Sequence, residues 1–365
     1  MIPIFRLEYN TEFRDQFKAQ VEEIFDQAFL TNHDFVRRFE TEFAAWNHSP
    51  FALMTSSGTA ALECILRALN VRDHEVILPA NTFMATAAAV KNAGGRTVIA
   101  DIEPEYLAIS PRAVLQKISP RTKAVVVVHI GGTISPAVDE LRKICDHQGV
   151  ALIEDCAHAH GASLDGIRAG QFGLAGAFSF HVTKVMTTGE GGACVTSSLD
   201  FAQKLESTRQ FGKDRSNALL HGPEGGNGKM TEMQALMGIL ELQRVDARIA
   251  QRQALAAQYQ RRLQGSPWKT YAPAASGVSP YYKQIIIGPM PWAAVREKMQ
   301  QHGISITGGV YNFPLHRQPA FSLDPELFPV SDRFGRMHIC PPCYPELKAQ
   351  EVDFICDRLL ELSGN

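Results

Sequence analysis

The sequence predicts an α/β protein, with a large domain built on a mostly parallel sheet covered by helices and a small C-terminal α+β domain. Two observations carry this. From Phe51 onward, short apolar runs alternate with helical segments, the pattern of strands joined by crossover helices. A long helical pattern then starts at Thr231, runs to about Leu263 and is ended by Gly265-Ser266-Pro267, which divides the chain into residues 1–264 and 265–365.

Each element has its own signal. Phe13, Phe17, Val21 and Phe25 recur at four-residue spacing among charged residues, one apolar stripe of a helix that packs on the rest of the protein or on a second subunit. A helix follows over 34–46. Strands are expected near 51–55, 75–78, 97–100, 124–129, 150–154, 175–180 and 193–196, with helices over 59–69, 83–92 and 136–148 among the connections. Residues 202–211 read as a helix, and 212–228 as a polar, glycine-rich loop long enough to point to function. The C-terminal part offers a strand near 282–287 and helices over 292–302 and 349–362.

Composition excludes several function classes. A chain of 365 residues with 45% hydrophobic and 20% charged residues can bury a large core. Its formal net charge of -2 gives no global pull toward nucleic acid or membrane, so an anionic ligand must be held locally. Seven cysteines, an odd number scattered among apolar segments, speak against a disulfide framework and for a reducing compartment, with the cytoplasm as the expectation. Neither a targeting segment nor an apolar run of bilayer-spanning length is legible.

The chemistry concentrates around Lys184. It lies in Ser179-Phe180-His181-Val182-Thr183-Lys184-Val185-Met186-Thr187-Thr188-Gly189-Glu190-Gly191-Gly192, after an apolar strand and among small, hydroxylated and glycine residues. A Schiff-base lysine needs such rigid support and close backbone approach. Upstream, Glu154-Asp155-Cys156-Ala157-His158 ends another apolar strand. A buried carboxylate is costly unless paired, and a pyridoxal phosphate ring offers a partner in its pyridinium nitrogen. Ser56-Ser57-Gly58-Thr59 sits between a strand and a helix, where free N–H groups and the helix dipole favour an anion. The alternation of Cys156, His158 and His160 could place metal ligands on one strand face, but no fourth ligand is in register, so no metal is expected. Cys340-Pro341-Pro342-Cys343 has redox-motif spacing without the preceding strand and helix, and reads as packing.

These motifs, with Gly226-Asn227-Gly228-Lys229-Met230, resemble the DegT/StrS-type sugar aminotransferases from about Leu30 to the C-terminal helix. The resemblance implies the aspartate-aminotransferase-like fold type I and pyridoxal 5′-phosphate as cofactor, with pyridoxamine 5′-phosphate as its amino-loaded form. It implies Lys184, Asp155 and His158 as catalytic residues. Ser57, Gly58, Thr59 and Ser179 would hold the phosphate, Phe83 would stack on the ring, and Asn227 would reach the cofactor of the neighbouring subunit in a homodimer with shared active sites. The implied reaction is amino transfer, with glutamate as donor, to the keto group of a nucleotide-linked deoxysugar.

Two departures from the family pattern bear on the acceptor. The run His129-Ile130-Gly131-Gly132 lacks the aromatic common there, which predicts open space at Gly131, and Arg317 follows His316 where an apolar residue is usual. Gly131, His316 and Arg317 are therefore expected to shape the acceptor site. A keto-cyclitol or another antibiotic precursor is the alternative acceptor. Lys184 speaks against the family's dehydratases, which carry histidine at that position, and a regulatory protein that binds the cofactor without turnover is the rival from outside enzymology.

Overall fold

The computed structural model describes residues 1–306 and 309–364. Its central sheet has seven strands: β1 (Phe51–Thr55), β2 (Glu75–Pro79), β3 (Arg96–Ala100), β4 (Thr122–Val128), β5 (Ala151–Asp155), β6 (Ala175–Ser179) and β7 (Gly192–Thr196). They lie in the order β1-β7-β6-β5-β4-β2-β3. β7 is antiparallel to both its neighbours, and every other pairing is parallel.

Strand composition explains this arrangement. A parallel sheet covered on both faces needs apolar side chains in both directions. In β4, Val125 and Val127 enter one apolar core, whereas Val126 and Val128 enter the other on the opposite face. The first core is closed by the helix Asp34–Trp46, whose Phe39 and Phe43 pack on Phe178 and Phe180 with ring centroids 5.3–5.4 Å apart. That helix begins on a carboxylate supplied from a distance: Glu232 accepts from the N–H groups of His33 and Phe35, both at 2.7 Å. A third core gathers Leu255, Tyr259, Trp268, Ile286, Ile339 and Ile355 around a three-stranded ribbon of Lys269–Thr270, Ile286–Ile287 and His338–Ile339.

Where the structure differs from the sequence reading, packing is the reason. In the helix Thr11–Gln27, Ile24 is buried and Phe25 is 55% exposed, because a strict four-residue repeat drifts off a 3.6-residue face. The long helix expected from Thr231 is two helices, Glu232–Leu242 and Val245–Leu263. The first packs into the core under the sheet and the second carries Leu255, Tyr259 and Leu263 into the third core, so the break at 243–244 redirects the chain between them. The strand expected over 282–287 shrinks to Ile286–Ile287, and Tyr282 and Lys283 before it line a cavity instead. Among the described residues no helix is long and apolar enough to cross a membrane.

Candidate active site

The carboxyl ends of β1, β5 and β6 open into a cavity of about 620 Å³, the place where open α/β sheets bind ligands. It is lined by Ser57, Gly58, Thr59, Phe83, Asp155, His158, Ser179 and Lys184, which the fold brings together from four separate segments.

The hydroxyl end is built by close backbone approach. Ser57 is extended and caps the helix Gly58–Ala68, its Oγ accepting from the Ala60 N–H at 3.0 Å. A Cβ on Gly58 would stand 2.6 Å from the Ser179 Cβ, so only glycine lets the helix start beside the end of β6. Ser57, Thr59 and Ser179 thereby surround one helix N-terminus, a donor-rich setting for an anion.

Asp155 ends β5. Its carboxylate accepts from Thr86 Oγ1 at 2.9 Å and from the Ala157 N–H at 3.1 Å. Burial pushes its pKa up, opposed by those hydrogen bonds and by the charge of Lys184, so a cation facing it would be stabilised. His158 accepts from the Gly131 N–H at Nδ1, 3.3 Å away, which leaves the ring proton on Nε2 to donate to the Tyr311 hydroxyl at 3.1 Å. Burial, reinforced by Lys184 and Lys283, holds this imidazole well below its usual pKa and therefore neutral. Phe83 is 60% exposed toward the cavity and stacks on Tyr311 at 5.9 Å.

The Lys184 ammonium rests over the Tyr282 ring, 4.6 Å from its centroid, and His158 stacks on the same ring at 4.3 Å. The Tyr282 hydroxyl lies 3.2 Å from Thr183 Oγ1. Burial alone would raise the Tyr282 pKa, but Lys184, Lys283 and the Thr183 bond outweigh it and bring the phenol below its usual value. The family resemblance places the segment 311–319 near the active site, and Tyr311 at its start does line the cavity, but sequence reasoning singled out none of Thr86, Tyr282 or Lys283; for the latter two the tyrosine pair Tyr281-Tyr282 was the available signal. Ile4 and Phe5 were also missed; they line the cavity because Ile2 bridges Ile304 and ties the N-terminal segment there.

Three acceptor-side expectations need correction. Gly131 opens no space: with φ +66° it is buried, and a Cβ there would meet Ile285 Cδ1 at 2.9 Å. Arg317 is held by Asp332 through Nε at 2.7 Å and Nη2 at 2.6 Å, and His316 is fully buried, stacked on Phe328 at 4.8 Å. Neither lines the cavity, because the 3-10 turn Leu315–Arg317 directs them toward the helix Pro329–Met337. Asn227 is exposed on its loop, accepting from Lys229 Nζ at 2.7 Å, and lies off its own chain's cavity.

The two cysteine- and histidine-bearing motifs of the sequence do not form the arrangements their spacing suggested. Cys156, His158 and His160 follow β5 in a turn and share no strand face, and His160 packs against Phe178 and Phe180. Cys340 and Cys343 are buried, and burial pushes the Cys340 thiol up to about 11.

An open, mostly parallel sheet whose strand ends gather a lysine, a buried carboxylate and a hydroxyl-lined helix terminus defines an α/β enzyme of the aminotransferase class. The chain belongs to the DegT/DnrJ/EryC1/StrS aminotransferase family, whose model matches residues 11–360. It is 32% identical to a GDP-perosamine synthase of Vibrio cholerae over 88% of this chain and 89% of that protein. It is 35% identical to a putative L-glutamine:3-amino-2,3-dideoxy-scyllo-inosose aminotransferase of Streptomyces kanamyceticus, over 79% of this chain and 71% of that one. The crystal structure of S. venezuelae DesV in complex with ketimine intermediate superposes with a TM-score of 0.91 at 29% identity, covering 97% of this chain and 96% of that chain.

Proposed function

We propose that this aminotransferase uses pyridoxal 5′-phosphate to move an amino group from glutamate to the keto group of a nucleotide-linked deoxysugar. The observation that carries this reading is the convergence of Lys184 and the buried Asp155 on one cavity that ends in the Ser57, Thr59 and Ser179 hydroxyls. This donor set fits the cofactor. Asp155 is buried with a raised pKa and is suited to a cationic ring nitrogen, the hydroxyl end is suited to a phosphate, and the exposed Phe83 offers a face for the ring.

When bound, the cofactor supplies an aldehyde for the exchange of nitrogen and a pyridine ring that withdraws electrons from the reacting carbon. Asp155 would face the ring nitrogen and favour its protonated form. Lys184 Nζ would hold the cofactor and would carry the proton at the reacting carbon. Neutral His158, locked between Gly131 N–H and the Tyr311 hydroxyl, keeps its ring in place beside the cofactor. In this reading residues 1–264 form the cofactor domain and 265–365 the small domain. Seven cysteines, all free and buried, support a cytoplasmic setting.

The test is a panel of nucleotide-linked keto-sugars and free keto-cyclitols assayed with glutamate. Turnover of the former supports the proposal, and turnover of inososes alone would favour the cyclitol reading, which the Streptomyces relative's name supports. A cofactor absorbance that does not change on adding glutamate would point to binding without turnover.

Assembly belongs to the same proposal. Asn227 sits on a loop with Phe211, Leu219 and Leu220 exposed, apolar surface that a second copy would cover. The smallest active unit is then a homodimer in which Asn227 reaches the partner's cofactor phosphate. Sedimentation at assay concentration is expected to show a dimer; a fully active monomer would refute shared sites.

A further inference from the structure

We propose that Lys283 receives an oxyanion of the substrate that reacts at Lys184, either a carboxylate of the amino donor or a phosphate of the acceptor; this rests on the aminotransferase reading of the same cavity. Lys283 lines the cavity, and its ammonium lies 5.2 Å from the centroid of the Tyr282 ring, the same ring that carries Lys184 Nζ at 4.6 Å. The two cations therefore share one buried aromatic support, itself stacked on His158.

Neither carboxylate that lines the cavity forms an ion pair with Lys283: Asp155 is bonded to Thr86 and to the Ala157 N–H, and Glu190 is exposed, with His181 Nε2 3.9 Å away. Among the described residues Lys283 thus has positive charge, partial burial and no carboxylate partner, a combination that favours an incoming anion. A lysine on a flexible stem accepts a carboxylate or a phosphate oxygen equally, as a point charge. Because Lys283 and Lys184 line one cavity and share the Tyr282 ring, the anion Lys283 takes belongs to a molecule with the charged group within a few bonds of its reacting carbon or with an arm that folds back over the cavity.

The experiment compares Lys283→Met and Lys283→Arg with the wild-type holoenzyme, using glutarate and a nucleoside diphosphate as non-reacting probes by calorimetry, and KM against kcat in each half-reaction. Lys283→Met is expected to weaken one anion by about tenfold, the scale of one charge-assisted hydrogen bond, mainly through KM, and Lys283→Arg to recover most of it. Loss confined to glutarate and glutamate assigns the carboxylate, loss confined to the nucleotide assigns the phosphate, and recovered loss of both assigns one site used in turn. A change of less than threefold for both anions, or a loss that arginine does not recover, overturns the proposal. Cofactor absorbance in the wild type and both variants keeps this outcome separate from failure of the cofactor reading, for which the wild type itself would bind none.

Discussion

Lys184→Ala is expected to lower kcat/KM for amino transfer by about three orders of magnitude or more, since it removes both a covalent tether and the group that moves the proton. The fold should survive the change. Lys184 follows β6 in a turn, and its ammonium rests on the Tyr282 ring rather than in an ion pair. Borohydride reduction of the holoenzyme followed by peptide mapping should label Lys184, and the variant should bind its cofactor reversibly without label. Labelling of a different lysine, such as Lys283, would reassign the tether.

Glu154→Ala should destabilise the protein by about 3–5 kcal/mol, the usual cost of removing one partner from a buried charged network. Glu154 is fully buried, and its carboxylate takes four hydrogen bonds: from the N–H groups of Gly170, Phe172 and Gly173 at 2.7–2.8 Å and from His129 Nε2 at 2.9 Å. Deleting it leaves two buried backbone donors, of Gly170 and Phe172, and the partly buried one of Gly173 without partners. Those donors belong to the loop that feeds β6, the strand that leads to Ser179 and Lys184. Loss of the carboxylate therefore loosens the site as well as the core. Glu154→Gln should lie between the two, because its amide keeps one acceptor oxygen but turns a donor toward groups that already donate. Thermal and urea unfolding check this; a Glu154→Ala protein within about 1 kcal/mol of wild type would be no worse than an average substitution and would show that the loop finds other acceptors.

The adjacent pair Glu154-Asp155 shows where sequence reasoning stopped. Both stand at the end of one apolar strand, where a carboxylate is costly to bury alone, but the sequence reading gave a role only to Asp155. Their division of labour depends on strand alternation: Glu154 turns to His129 and the 170–173 loop, whereas Asp155 at the strand end meets Thr86 and the cavity. Arg317 shows the same limit from the other side. Its sequence neighbourhood placed it near an acceptor, but Asp332, fifteen residues on, holds its guanidinium through two hydrogen-bonding nitrogens. A side chain's ion-pair partner cannot be read from its own segment.

By itself the sequence determined the alternation of strands and helices from Phe51, the positions of Gly58 and Ser57 at a helix start, and the residues Lys184 and Asp155, because each depends on local periodicity, backbone freedom or the cost of burying charge. Tertiary structure alone decided which partners those residues meet. Tyr311 reaches His158 across 153 residues, Tyr282 slides between His158 and Lys184, and Lys283 enters the cavity where a strand was expected to continue. Such convergence follows from how separate segments pack together in three dimensions, which no local pattern of residues encodes.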